Sequence, residues 1–256
     1  MSKLHKPNSF EKSWQKRFES FAACSDDDAG IAGWSSTGLD ARLRQFTDLW
    51  KNNPSNKGLW LDAGCGAGTY SRLIANQGLD VIGLDYSHLS VQKAAKKGSN
   101  SIDWCVADIN KLPLKQEVFD GVICFGVTQA LENSATLIHE LSKVTKPGGQ
   151  VWIDALNRSC LPHLGERFFR WIRRRPTHLR YESHYELLNL MKNNSLVNIK
   201  LHWLPILPKR WNRFQWIVET SLAKGLFHYI PLLGLLFSHA FVLYGQKTTI
   251  SKSLHE

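Results

Sequence analysis

Short apolar runs alternate with amphipathic stretches through the middle of the chain. The runs predict strands over residues 59–63, 81–84, 101–107, 119–125 and 150–156. Apolar residues at helical spacing predict helices between them, the clearest over 88–97 and 134–145. A regular alternation of strand and helix favours a parallel sheet with helices on both faces.

The flanking segments have different patterns. Before the first strand, the pattern predicts helices over 10–23 and 39–51, with a loop that contains Trp34 between them. After the fifth strand, it predicts a helix over 182–192 and strands over 196–203 and 241–247. Two stretches fall outside the alternation, namely an arginine-rich segment at 157–181 and an apolar, aromatic segment at 205–237.

A glycine-rich turn follows the first strand and leads into a helix that opens near Thr69. Its glycines permit positive φ angles and leave the backbone open to a ligand; they are Gly64, Gly66 and Gly68. The spacing is G-x-G-x-G, so Thr69 stands in place of the third glycine of the dinucleotide fingerprint. Asp62 precedes the glycines, and a carboxylate there suits a ligand that carries positive charge better than a pyrophosphate.

Polar or small residues also end the other predicted strands. Asp85 ends the second strand, where a carboxylate accepts hydrogen bonds from a ribose, and Asp108 follows the third. Phe125 and Gly126 end the fourth strand. Ligands of open parallel sheets bind beyond the carboxyl ends of the strands. The four strand ends therefore predict one ligand site at this edge.

The segment Asp62-Ala63-Gly64-Cys65-Gly66-Ala67-Gly68 resembles the first motif of class I S-adenosylmethionine (SAM) dependent methyltransferases. Segments 106–109, 120–125 and 146–149 are similar to the family's later motifs, so the resemblance covers roughly 57–156. It is nearest to the small-molecule branch that includes quinone-biosynthesis methyltransferases. Those enzymes often carry an acidic residue and a histidine after strand four, where this chain has Gln129 and Ala130.

The resemblance implies a Rossmann-like α/β fold with a seven-stranded, mostly parallel sheet and an antiparallel last strand. It implies an N-terminal helical lid at 1–56 and a SAM-binding core at 57–156. Residues 157–256 would complete the same domain and would contain a basic insertion (157–181), an apolar helical cap (205–237) and the final strands. Both added segments leave the sheet on its ligand-bearing side, where they would shape the acceptor site.

The resemblance also implies SAM as co-substrate, with no metal. Asp85 would hold the ribose, Asp108 the adenine amine and the glycine turn the amino acid end. The full set of expected cofactor contacts is Asp62, Ala63, Gly64, Cys65, Gly66, Gly68, Asp85, Tyr86, Ser87, Asp108, Ile109, Phe125 and Gly126.

Methyl transfer needs a base only where the acceptor is a hydroxyl or a protonated amine. The weak candidates are Asp154, His163 and His184. A small-molecule or lipid-linked acceptor is expected, with the methylated atom (O, N or C) left open. The alternatives are a nucleic-acid methyltransferase or binder that uses the arginines, an inactive SAM-fold protein, and an NAD-dependent oxidoreductase. The glycine spacing and Asp62 disfavour the oxidoreductase, and the lack of an Asn-Pro-Pro-aromatic motif disfavours a nucleic-acid substrate.

The composition of the chain indicates which partners it binds and in which cellular compartment it lies. The net charge of +10 and the ten tryptophans indicate contact with a membrane surface, nucleic acid or an acidic substrate. The five cysteines are widely spaced without a CxxC pair, so reduced thiols are expected and a zinc site is not. Residues 1–13 are polar and show no signal peptide. A cytoplasmic protein is expected.

The uncharged stretch 227–245 is close to the length of a membrane span. Pro231 and Gly234 interrupt it, and its end has the β-branched and aromatic character of a strand. We therefore expect an apolar helix near 215–237 that caps the acceptor side and meets a membrane interface without crossing it. The arginine run 167–175 is expected on the surface beside the acceptor entrance, where it would attract anionic lipid.

Overall fold

A computed structural model describes residues 9–53, 58–98, 101–175, 179–207 and 209–249. The remaining residues of the predicted lid, of the two predicted insertions and of the C-terminus lie outside these ranges. The strands are β1 (Leu59–Ala63), β2 (Asp80–Asp85), β3 (Ile102–Val106), β4 (Phe119–Cys124), β5 (Thr145–Leu156), β6 (Leu196–Leu204) and β7 (Ala240–Lys247). The helices are α1 (Ser9–Cys24), α2 (Asp28–Ile31), α3 (Ser36–Asn52), α4 (Thr69–Ala75), α5 (His88–Lys97), α6 (Ala135–Val144), α7 (Leu161–Ile172), α8 (His184–Asn193), α9 (Gln215–Val218), α10 (Ser221–Tyr229) and α11 (Pro231–Phe237).

The strands form one sheet in the order β3-β2-β1-β4-β5-β7-β6. β7 runs antiparallel to both β5 and β6, and the other neighbouring strands are parallel. This confirms the predicted mostly parallel, Rossmann-like sheet with an antiparallel last strand. The strand order reverses between β1 and β4, so a crevice opens beyond their carboxyl ends.

The sheet is buried on both faces. On one face the core contains side chains of α6 and α8, such as Leu137 and Met191. On the other it contains Phe46 and Trp50 of α3, which pack on Trp60 of β1 and Trp152 of β5. Because central parallel strands bury both faces, β1 and β4 are apolar almost throughout rather than alternating.

The segment between α1 and α3 is more helical than the predicted loop at 30–36. Asp27 caps a short helix, α2, by accepting a hydrogen bond from the Gly30 N–H at 2.8 Å. Ser35 caps α3 in the same way through the Gly38 N–H at 3.2 Å, so α3 begins at Ser36 rather than at 39. Both caps satisfy N–H groups that a helix start leaves free.

β5 begins earlier than predicted. Turn residues at 147–149 place its start at 150, but in the structure the strand begins at Thr145. Phe119 pairs with Thr145 and Gly121 with Gln150, so the residues between bulge out of the ladder. Gly148 has a φ of +79°, which glycine adopts without strain. The predicted turn therefore lies inside a strand, because pairing resumes on both sides of it.

The prediction of one helix near 215–237 is wrong, because the segment folds as α9, α10 and α11. Thr220 caps α10 through the Ala223 N–H, and Pro231 starts α11. α9 and α10 are tied to α3 by ion pairs, Arg44 to Glu219 at 2.9 Å and Lys224 to Asp48 at 2.6 Å. Among the described residues, no helix combines the length and apolarity needed to cross a bilayer.

Candidate functional site

Two adjoining cavities form a cleft at the carboxyl edge of the sheet. The empty space within them, together with the open solvent at their mouths, amounts to about 670 Å³ and 570 Å³. Gly64, Asp85, Val127 and Ala130 line both of them. The cleft therefore runs across the ends of β1, β2 and β4, at the point where the strand order reverses.

The glycine turn is pinned to the end of β2. The N–H groups of Gly64 and Cys65 both donate to the carbonyl oxygen of Leu84, at 2.7 and 2.9 Å. Gly66 has a φ of +51°, and a β-carbon built there meets no atom within 4 Å, so a side chain would extend into the cleft. At Gly68 a β-carbon would instead lie 2.3 Å from Trp104. Gly66 therefore keeps the cleft open, whereas Gly68 lets the turn pack on β3.

Asp85 lies at the centre of the cleft. Its carboxylate accepts hydrogen bonds from the N–H groups of Gly66 and Ser87, both at 2.9 Å. The residue is only 9% exposed, and burial raises the pKa of its carboxyl above the ordinary value. These bonds hold the glycine turn and the carboxylate in a fixed relation before any ligand is bound.

Asp62 and Ala63 lie beneath the glycine turn rather than on the cleft wall. The carboxylate of Asp62 accepts a hydrogen bond from the Ser71 hydroxyl at 2.5 Å. Burial raises the pKa of Asp62 to about 7. Asp62 is 2% exposed and Ala63 is fully buried, so both act on a ligand at most through the turn or through the electric field.

The second cavity brings together Tyr86, Asp108 and Ile109. The Tyr86 hydroxyl donates to the carbonyl oxygen of Gln15 at 3.1 Å, so α1 covers this end of the cleft. Asp108 accepts a hydrogen bond from the Asn110 N–H at 2.9 Å. Ser87 lies outside both linings, where it caps α5 by accepting from the Ser90 N–H.

Phe125 and Gly126 line the first cavity opposite the glycine turn, beside Trp34. The Gly126 N–H donates to Asp154 Oδ1 at 2.6 Å, which fixes the loop after β4. A β-carbon at Gly126 would lie 2.6 Å from the Trp34 ring. The guanidinium of Arg42 lies over the same Trp34 ring, 4.5 Å from its centroid.

Of the three base candidates, only Asp154 adjoins the cleft. It is 5% exposed and lines a narrow cavity that shares Tyr70 and Phe125 with the cleft. Burial raises the pKa of its carboxyl. His163 and His184 line neither cavity of the cleft.

The two histidines have structural partners. His163 Nδ1 lies 2.8 Å from the carbonyl oxygen of Asn157, to which it donates, and its Nε2 lies 2.9 Å from His239 Nδ1. His184 packs edge to face against the Trp203 ring and lines a separate cavity near α11. In the described ranges, no group of three His, Cys, Asp or Glu side chains is placed to hold a metal ion.

Sequence reasoning missed Arg42. It lies on the buried face of α3, between Leu39 and Phe46, and is itself 7% exposed. A charged residue in an apolar helical stripe is the signal that identifies such a position, because burial of an unpaired charge is costly.

This arrangement agrees with comparisons with known proteins. The Methyltransferase domain family model matches residues 61–153. The chain is 40% identical over 92 residues to demethylmenaquinone methyltransferase of Renibacterium salmoninarum, over 36% of this chain and 38% of that one. It is 31% identical over 169 residues to ubiquinone biosynthesis O-methyltransferase of Bradyrhizobium sp., over 62% and 66% of the two chains. The chain thus spans less than half the length of the first of these relatives.

Solved structures show the same fold. Magnesium protoporphyrin IX methyltransferase of Synechocystis PCC 6803, with bound SAH (S-adenosylhomocysteine), superposes with a TM-score of 0.60 at 16% identity, over 93% of this chain and 96% of that one. Residues 61–153 therefore form a methyltransferase domain that is similar to those of quinone-biosynthesis methyltransferases and has the fold of SAM-dependent enzymes. SAM is the co-substrate of this class.

Proposed function

We propose that this protein transfers a methyl group from SAM to a small-molecule or lipid-linked acceptor at a membrane surface. The observation that carries the proposal is the cleft at the reversal of strand order, where Gly66 leaves the backbone open beside the buried Asp85. The names of the quinone-biosynthesis relatives support a quinone-type or other small-molecule acceptor.

In the proposed complex, Asp85 accepts hydrogen bonds from the ribose, and the turn of Gly64, Cys65 and Gly66 frames the amino acid end. The adenine occupies the second cavity beside Asp108 and Ile109. The position of Asp85 in both cavities supports this arrangement, since the ribose joins the two ends of SAM. The remaining expected contacts act from behind the wall, because Asp62, Ala63, Gly68 and Ser87 do not line the cleft.

The helices α1 to α3 form the proposed lid of the core that begins at residue 57. The bond from Tyr86 to Gln15 supports this role, because it joins α1 to the end of β2. Phe18, Ile31 and Trp34, from the lid segment, also line the first cavity. An enclosed site excludes water from the sulfonium and strengthens the electrostatic contacts inside it.

Methyl transfer from a sulfonium is an in-line displacement in which the positive charge of the donor is lost. Alignment of acceptor and methyl group supplies much of the acceleration, on the order of several kcal/mol. An acid is not required, and a base is required only for an acceptor that carries a proton. Asp154 is the candidate base, because it adjoins the cleft and the candidate histidines do not.

A large exposed apolar surface supports the membrane part of the proposal. On α7 it includes Trp171 at 75% exposure, and on the cap it includes Leu222 at 77% and Tyr229 at 81%. α11, which itself exposes Leu232 and Phe237, packs against both α7 and α10. Arg173, Arg174 and Arg175 follow α7 and are exposed. Exposed aromatic residues beside cations fit the interface of an anionic membrane better than a nucleic-acid backbone.

Transfer of isotope-labelled methyl groups tests the activity. The protein is incubated with labelled SAM and a cell extract that contains membranes, and labelled products are identified by mass spectrometry. Gly66→Val serves as the inactive control, and a labelled small molecule absent from that control supports the proposal. Label confined to nucleic acid would establish the alternative, and label in no product would support an inactive SAM-fold protein.

Sedimentation with anionic vesicles tests the membrane surface. Alanine substitution of Arg173, Arg174 and Arg175 removes roughly 1 kcal/mol of attraction each, so the partition coefficient falls on the order of 100-fold. The matched control removes three exposed lysines elsewhere, Lys12, Lys16 and Lys96, and leaves binding nearly unchanged. Equal losses in the two variants would assign the effect to net charge alone. Extraction from cell membranes by detergent but not by alkaline carbonate would contradict a peripheral protein.

A further inference from the structure

The short helix α2 forms part of the wall of the cleft. Asp28 and Ile31 of α2 line the first cavity, as do Gly64 and Gly66 of the glycine turn. The position of α2 therefore decides how widely the cleft opens at this end.

Apolar packing contributes little to the attachment of α2. Ile31 is the only large apolar residue of this helix. It packs with Ala22, Ala67 and Leu89 in a small cluster that is separate from the two main core clusters. A segment with few buried apolar contacts needs little free energy to open locally. The polar contacts of α2 therefore make up a large share of what holds it in place.

Asp28 ties α2 to the helix that follows the glycine turn. Its carboxylate accepts hydrogen bonds from the Thr69 hydroxyl, at 2.6 Å, and from the guanidinium of Arg72. The same guanidinium donates to the carbonyl oxygen of Ala67 at 2.7 Å. The start of α4 thus contacts both the glycine turn and α2.

Two lysines of α5 clamp the start of α2 and the residues before it. Lys93 Nζ donates to the carbonyl oxygen of Ser25 at 2.8 Å and to Asp26 Oδ1 at 2.7 Å. Lys97 Nζ donates to the carbonyl oxygen of Asp26 and to Asp28 Oδ1, the latter at 3.0 Å. Neither lysine lines a cavity of the cleft. We call these four contacts the lid latch.

We propose that the lid latch holds α2 over the first cavity and sets the rates at which SAM enters the cleft and SAH leaves it. The inference rests on the proposed methyltransferase function and adds a regulation of its donor site, by ionic strength. Because both lysines lie outside the cleft, the latch stabilises the closed lid equally with and without a bound donor. It therefore slows entry and exit alike and leaves the affinity unchanged. Lid opening and product release limit turnover in many enzymes.

Salt should weaken the lid latch, because its ion pairs lie close to solvent. The side chain of Asp26 is 97% exposed, and those of Lys93 and Lys97 are 18% and 39% exposed. Salt screens such pairs, and each of them alone contributes little. SAH carries one ammonium and one carboxylate, so its net charge is zero and salt hardly changes its attraction to a basic protein. The salt dependence of SAH exchange therefore reports on the latch.

Stopped-flow tryptophan fluorescence with SAH measures both rates. In about 20 mM salt, Lys93→Met/Lys97→Met should raise the association and dissociation rate constants about fivefold each and leave Kd within about twofold. In about 500 mM salt, the wild-type rates should approach those of the variant. Lys96→Met/Lys115→Met is the matched control, because it removes an exposed lysine of the same helix and one elsewhere, and so the same net charge. It should exchange SAH at the wild-type rates.

Rate constants of Lys93→Met/Lys97→Met within about twofold of the wild type would overturn the inference. A larger change in Kd than this would also overturn it, because the lysines would then act on binding itself. Asp26→Asn is an independent variant at an exposed side chain outside the cleft, and it should raise both rates by about twofold. Cooperative melting checks that each variant folds. A wild type that binds no SAH would instead remove the proposed function itself.

Discussion

The cleft around Gly66 and Asp85, which we call the donor half of the proposed site, differs from the buried face of α3 in how the chain satisfies its polar groups. In the donor half, Asp85 already accepts two backbone hydrogen bonds, and the glycine turn is pinned to Leu84. On the buried face of α3, Arg42 Nε and Gln45 Nε2 have no hydrogen-bond partner in the described chain. The chain itself thus satisfies the polar groups of the donor half, whereas it leaves two buried donors of α3 unpaired.

The two kinds of polar group discriminate between ligands to different extents. A satisfied backbone site recognises a ligand through shape and a few fixed acceptors, so it suits a co-substrate common to a whole class. Buried donors without partners select strongly, because a ligand that lacks the matching oxygen leaves them unpaired.

The largest effect is expected at Gly66. In Gly66→Val, the side chain projects into the open cleft, so SAM binding should be lost, by at least about 100-fold, while the fold remains. Gly78→Val is the matched control, because Gly78 also has a positive φ, +82°, and open space around its β-carbon, but lies in the turn after α4. Calorimetry with SAM and a thermal melt compare the two. Similar SAM affinities in both variants would contradict the pre-organised donor half.

A smaller loss is expected at Asp85. Asp85→Ala removes a charge-assisted hydrogen bond of roughly 1.5–3 kcal/mol, so SAM affinity should fall about tenfold or more. It also leaves the N–H groups of Gly66 and Ser87 without their acceptor, which should lower the melting temperature. Asp80→Ala, at the exposed start of the same strand, should change neither property. Equal calorimetric affinity in Asp85→Ala and wild type would remove Asp85 from the site.

The smallest effect concerns the pH dependence of folding stability at the histidine pair. Burial lowers the pKa of His163 and His239. Below about pH 6.5 the unfolded chain therefore binds more protons than the folded one, and stability falls as the pH decreases. Burial raises the pKa values of Asp62, Asp85 and Asp154, and these groups act in the opposite sense. Their protonated forms favour the folded state, so the folding stability that they contribute is lost as the pH rises above about 4.

A comparison of variants separates the two contributions. From pH 7 to pH 5 the melting temperature of the wild type should fall by a few degrees more than that of His239→Gln, which cannot take up a proton. His139→Gln replaces an exposed histidine on α6 and should follow the wild type. Parallel curves for all three proteins would contradict the role of the buried pair.

The sequence alone determined the sheet and the donor half. Alternation of apolar runs with helical spacing predicted the order of strands and helices, because each element buries its own face. The glycine turn, Asp85 and Asp108 lie within short stretches whose chemistry is local, and the structure gathers Gly66, Asp85 and Asp108 along one cleft. Local rules also explain the Ser87 cap of α5, which accepts a hydrogen bond from the Ser90 N–H.

Packing between distant elements brings together residues that no local pattern connects. Arg42, Asp154 and Leu204 are far apart in sequence, and they line one small cavity because α3 packs on the face of the sheet that contains β5 and β6. The same is true of His163, whose partner His239 lies 76 positions away and turns a candidate base into a structural pair. No local pattern predicts which buried charge finds a partner, because the partner lies on an element that is distant in sequence.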